Sequence, residues 1–145
     1  MNIEIINEPL RLDIYGLSGV AVNRDYTGTA FALSGRMWTA VKSNNLKNKG
    51  INIWVYEPNE IVFAGVELDE IPPDSIGLEQ KSITLTKYAY YKHIGPYGLI
   101  KQAGTNMGNE LRNRGLETRR PYVEIYGHWT GDESTSETEL FMSLE

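Results

Sequence analysis

Two six-residue stretches alternate in the same way, Ile51-Asn52-Ile53-Trp54-Val55-Tyr56 and Pro121-Tyr122-Val123-Glu124-Ile125-Tyr126. Each follows a segment of helical spacing that closes in basic residues and a glycine: Lys47, Lys49 and Gly50 in one case, Arg112, Arg114 and Gly115 in the other. Successive side chains of a strand point to opposite faces. Ile51, Ile53 and Val55 therefore share one face and Asn52, Trp54 and Tyr56 the other; Val123 and Ile125 oppose Tyr122, Glu124 and Tyr126. The element order strand, helix, strand, strand occurs twice, with Tyr26, Tyr56 and Glu67 falling opposite Tyr97, Tyr126 and Glu137 at a separation of roughly 70 residues. The predicted fold is α+β: duplicated strand-helix-strand-strand units, about 9–69 and 80–145, forming a pseudo-two-fold antiparallel sheet. Both helices are expected on the aliphatic face of that sheet and an open ligand groove on the aromatic face.

Along the chain, Pro9 to Tyr26 reads as strand material, with Gly16 and Gly19 marking a bend. Thr27-Gly28-Thr29 offers N-cap candidates, and Ala30, Leu33, Met37 and Val41 carry a helix expected to reach about Lys49. Pro58-Asn59-Glu60 turns the next two strands into a hairpin. Glu70 to Gln80, with Pro72 and Pro73, joins the halves without separating domains. One strand is expected from Ile83 through Tyr91; the second helix follows Pro96, with Ile100, Ala103, Met107 and Leu111 as its stripe. Gly104 and Gly108 beside that stripe predict close approach of helix to sheet.

At 145 residues the chain is the size of one domain, and its 41% hydrophobic and 23% charged residues are ordinary for a folded soluble protein. The net charge of −5 argues against direct nucleic-acid binding, which rests on basic patches. The absence of cysteine removes thiolate chemistry and disulfides and suits a reducing cytoplasm. Met1 to Leu10 carries Glu4 and Glu8 and lacks the form of a signal peptide, and no apolar run is long enough to cross a bilayer. A cytoplasmic location with no membrane partner is the expectation. Nine residues are Tyr against three Phe and three Trp, a bias towards rings with a polar handle that suits a ligand-contacting surface.

Glu124 is the discriminating residue. A carboxylate set among large rings and taken out of water costs several kcal/mol unless it finds a partner or a proton. A bound cation supplies that partner, and surrounding rings add cation–π attraction of about 0.5–2 kcal/mol per contact. Metal-ligand spacing is missing from the His and carboxylate pattern, so no metal is expected. The acidic run Asp132, Glu133, Glu137 and Glu139 lacks the pattern of a calcium loop.

His93-Ile-Gly-Pro-Tyr97, Pro121-x-x-Glu124-x-Tyr126 and the closing Thr138-Glu139-Leu140 strand resemble the GyrI-like family, the AraC-type bacterial effector-binding domains. The resemblance covers about residues 80–145 by motif and the first half by element order. It implies the duplicated fold inferred above and a pocket for lipophilic cations with the carboxylate of Glu124 at its base. Trp54, Tyr56, Tyr90, Tyr97, Tyr122 and Tyr126 are then the expected lining, with Tyr88 and Tyr91 competing for the place of Tyr90. The resemblance implies a stand-alone ligand-binding member with no cofactor and leaves room for a partner regulatory protein. The family also contains hydrolases of cyclopropane-bearing genotoxins and gyrase inhibitors. Haem would need His93 or His128, and His93 reads as a capping or packing residue and His128 as an exposed one.

Overall fold

A computed structural model describes residues 1–145. Its order is β1 (Glu4–Ile6), β2 (Leu10–Val20), α1 (Tyr26–Ser43), β3 (Ile53–Tyr56), β4 (Ile61–Val66), β5 (Glu79–Leu85), β6 (Tyr88–Ile94), α2 (Ile100–Asn113), β7 (Thr118–Tyr126) and β8 (Glu137–Leu144). The eight strands form one sheet in the order β1-β6-β8-β7-β3-β4-β2-β5, with every neighbouring pair antiparallel. The two halves meet where β3 pairs with β7, Trp54 directly opposite Glu124 and Tyr56 opposite Tyr122.

Each half also contains a leading strand, and these are exchanged: β5 of the second half pairs with β2 of the first, and β1 of the first with β6 of the second. The single strand expected from Ile83 to Tyr91 is thus two, divided at Thr86 and Lys87 and paired with different halves. Ile83, Leu85 and Tyr88 pack in one cluster, which an unbroken period of two forbids.

The groove lies on the aromatic face as expected, but the helices do not lie on the aliphatic one. The aliphatic face, with Ile14, Ile53, Val55, Phe63, Val123 and Phe141, carries no helix. It is buried because the sheet curls: Leu85 of the β5 edge and Tyr88 of β6, strands far apart in the sheet order, belong to the same apolar cluster. Both helices pack instead on the aromatic face. Ala30 and Leu33 of α1 meet Trp54, Tyr56, Val62 and Ala64, whereas Ile100, Ala103, Met107 and Leu111 of α2 meet Ala89, Leu140 and Leu144. Strand alternation tells which residues share a face, but a long twisted sheet is able to shelter one face by itself, and that choice is not written in the period. The groove is the gap between the two helices.

Local signals also differ in detail. Asp25, one turn ahead of the expected cap, accepts the Gly28 N–H at 3.0 Å and starts α1 at Tyr26. The helix ends at Ser43, well before Lys49; the chain reverses at Asn45 (φ 52°), and the Leu46 N–H bonds back to the Val41 carbonyl at 3.0 Å. Strand β2 runs unbroken past Gly16, whose role is close packing: a Cβ there would lie 1.9 Å from the Ala64 carbonyl oxygen on β4. Asn52 fastens α1 to the sheet, its Oδ1 accepting from Trp38 Nε1 at 2.6 Å and Ser34 Oγ at 3.2 Å. No helix is long and apolar enough to cross a membrane.

Candidate functional site

Glu124 sits on the central strand pair, 6% exposed, at the base of a cavity of about 850 Å3. Three phenols from both halves converge on its carboxylate. The Tyr126 hydroxyl donates to Oε1 at 2.6 Å and Tyr56 to the same oxygen at 3.1 Å, while Tyr122 donates to Oε2 at 2.7 Å. Tyr122 and Tyr126 are two residues either side of Glu124 on one strand face, and Tyr56 reaches across from β3; alternation alone brings the three together. No Lys or Arg nitrogen forms a salt bridge with Glu124.

The electrostatics follow from that arrangement. Burial first, and the Glu124 charge second, push the phenols of Tyr56, Tyr122 and Tyr126 well above the ordinary tyrosine range. They therefore stay protonated and act as neutral donors. The site holds a negative charge out of bulk water, satisfied in hydrogen bonding but without an opposite charge in contact.

Rings line the space above. Tyr56 and Tyr122 stack at 5.5 Å, and Trp54 meets Tyr126 edge to face at 4.8 Å. From α1, Phe31 contacts Trp54 at 5.2 Å and Tyr26 contacts Tyr56 at 6.0 Å; from the turn before α2, Tyr97 contacts Tyr126 at 6.0 Å and Trp129 at 6.2 Å. Phe31 and Trp129 are 65% and 61% exposed, so the mouth of the cavity is open and presents rings to solvent. Trp54 Nε1 is buried with no acceptor in the protein.

Of the residues singled out from sequence, Glu124, Trp54, Tyr56, Tyr97, Tyr122 and Tyr126 line this one cavity. Tyr90 does not. It lies on the aliphatic face, its ring 5.2 Å from Phe141 and its hydroxyl donating to Glu139 at 2.6 Å. Its rivals do not replace it: Tyr88 shares that face, and Tyr91 packs against the cluster under α2. The break at Thr86 and Lys87 resets the alternation, so counting from Ile83 misplaces everything beyond it. Tyr26, Phe31, Arg120 and Trp129 line the cavity and were missed. Tyr26 carried a signal, since the repeat sets it opposite Tyr97. Gly104 lines the cavity and a Cβ there would come 3.5 Å from the Tyr122 hydroxyl, an ordinary contact; Gly108 faces open space, so close helix–sheet approach explains neither. His93 is buried with Nε2 3.1 Å from the Pro96 carbonyl oxygen, His128 is exposed, and neither lines the cavity.

No family model matches the chain, and no curated protein matches it. Solved structures do. The C-terminal domain of EcmrR superposes with a TM-score of 0.74 at 12% identity, covering 100% of this chain and 99% of that one. SAV2435, solved bound to tetraphenylphosphonium, gives 0.66 at 16% identity over 100% of this chain and 94% of that one. A hydrolase from Listeria innocua gives 0.57 at 10% identity over 99% and 91%. The likeness is one of fold and extends along essentially the whole chain. At that level it supports the resemblance drawn from His93–Tyr97 and Pro121–Tyr126.

Proposed function

We propose that this protein binds an amphipathic cation bearing aromatic rings, with Glu124 as its charge partner and Trp54, Tyr56, Tyr97, Tyr122 and Tyr126 as the surrounding walls. The observation that carries the reading is the carboxylate of Glu124, 6% exposed, whose side-chain hydrogen bonds come from phenols and which forms no salt bridge. Burying a charge without an opposite one costs several kcal/mol, and a cationic guest offsets that cost while the rings contribute cation–π attraction. A cavity of about 850 Å3 is within the range of about 300–1,000 Å3 typical of small-molecule sites. The tetraphenylphosphonium bound by the fold relative SAV2435 is a ligand of this kind.

Isothermal titration of tetraphenylphosphonium against the neutral triphenylphosphine oxide tests it. Glu124→Gln keeps the shape and removes the charge; it should weaken the cation by more than tenfold, about 1.4 kcal/mol, and the neutral compound much less. Equal losses for the two compounds would show that the carboxylate only shapes the cavity, and no binding of the cation to the wild type would remove the proposal.

A second reading rests on the same short bonds. A carboxylate with phenol hydroxyls at 2.6 and 2.7 Å supplies the groups that general acid–base chemistry uses to orient a water and protonate a leaving group. One fold relative is a hydrolase. Incubation with a cyclopropane-bearing DNA alkylator should give ring-opened product that Glu124→Gln abolishes; absence of turnover eliminates hydrolysis and leaves the binding reading intact.

A further inference from the structure

The floor of the cavity is acidic, but its rim is basic. Arg24, Lys101 and Arg120 line it together with only two acids, Asp25 and Glu124, although the whole chain carries a net charge of −5. Two of these five are already engaged elsewhere. The Asp25 carboxylate caps α1 through the Gly28 N–H, and Arg24 lies 3.4 Å from Glu60. Arg120 and Lys101 form no salt bridge with any carboxylate of the protein.

Arg120 is placed by the sequence around it. The pairing of β7 with β8 slips between Arg119 and Tyr122, so Arg120 and Pro121 stand outside the regular ladder. Irregularities of this kind re-aim a side chain. The Arg120 guanidinium lies over the Tyr26 ring, 4.9 Å from its centroid, at the α1 side of the mouth. Lys101 lies in the first turn of α2, on the opposite wall. Arg120 stands four residues before Glu124 on β7, makes no salt bridge with it, and faces the same cavity.

Resting on the proposed reading of Glu124, we infer that the preferred guest is zwitterionic: a ring-bearing cation that also carries an anionic group, a carboxylate, sulfonate or phosphate, directed outward to Arg120 and Lys101. A plain monocation gains at the floor but passes two unpaired positive charges at the rim. A guest with an acid on its outer end neutralises both ends of the site, and Arg is well suited to grip such a group.

The test is a matched pair: (4-carboxybutyl)triphenylphosphonium and its methyl ester, titrated calorimetrically at low and physiological salt. They share the cation and the rings and differ by one charge. The acid should bind the wild type about threefold or more tightly than the ester, with the gap narrowing as salt rises, as exposed charges demand. Arg120→Gln combined with Lys101→Gln, both at exposed positions, should bring the ratio to about one without weakening the ester. An ester that binds the wild type as tightly as the acid overturns the inference and leaves the charge role of Glu124 standing. Failure of both compounds to bind overturns the inference and the proposed function together.

Discussion

Raising the pH is the most direct strain on the site, because three buried phenols must give up protons into a space that already holds a carboxylate. The folded-state values of Tyr56, Tyr122 and Tyr126 are all raised, by burial first and by Glu124 second. In the unfolded chain each phenol titrates near about 10. Their contribution to stability is therefore fully present below about pH 10 and is lost as pH rises, since above that point the unfolded chain releases protons that the folded one retains. While the folded phenols stay protonated, each costs about 1.4 kcal/mol at pH 11 and about 2 kcal/mol at pH 11.5, so the three together remove about 4 and then about 6 kcal/mol. Tyr90, raised by burial and by its bond to Glu139, adds to the same limb.

A domain of this size is stable by about 5–15 kcal/mol, so cooperative alkaline unfolding is expected between about pH 11 and 12. The assay is absorbance at 295 nm, which counts ionised tyrosines, alongside near-ultraviolet circular dichroism. Of the nine tyrosines, a late group that includes Tyr56, Tyr122 and Tyr126 should ionise only as the dichroism collapses. Tyr126→Phe should remove one phenol from that late group. If all nine ionise together around pH 10 while the dichroism remains native, the three phenols are not clamped on Glu124 and the geometry argued above is wrong.

Two further outcomes test the packing. Gly104→Ala places a methyl at ordinary contact distance from Tyr122 and should stabilise α2 by up to about 1 kcal/mol in urea unfolding, whereas Gly104→Leu should occupy the cavity and abolish tetraphenylphosphonium binding without loss of fold. Gly16→Ala, by contrast, sets a Cβ against the β4 backbone at 1.9 Å and should destabilise the sheet by about 1–3 kcal/mol or more; a change under 0.5 kcal/mol would show that β2 and β4 are free to separate there.

The doubled α+β plan and the company kept by Glu124 were legible because both rest on local alternation. Trp54 and Tyr56, two apart on one strand, and Tyr122, Glu124 and Tyr126, at successive steps of two on another, had to share a face. What alternation lacks is a sign: it did not tell whether the helices cover Val55 and Val123 or Trp54 and Glu124, and the aliphatic face found its shelter in the curl of the sheet. Tyr90 went to the wrong face because Thr86 and Lys87 interrupt the strand without a Gly or Pro to announce it. The exchange of β1 and β5 between halves is a long-range pairing, invisible to any window of sequence. Arg120 was overlooked for a related reason, since a slip in register beside it is set by the partner strand.

The doubling of the fold also explains why there is one site and not two. Around the Trp54–Glu124 pair the surroundings are nearly two-fold: Tyr26 meets Tyr56 and Tyr97 meets Tyr126, each at 6.0 Å. Strict symmetry would put a carboxylate at both central positions, and like charges directly opposite on neighbouring strands destabilise a sheet. With an indole at one position and a carboxylate at the other, tyrosines from both halves serve a single charge. A carboxylate offers about four acceptor positions, and the phenols of Tyr56, Tyr122 and Tyr126 use three. Their hydroxyls satisfy its hydrogen bonding yet leave its charge in place, so the two halves together make a site completed by a positive group from outside the chain.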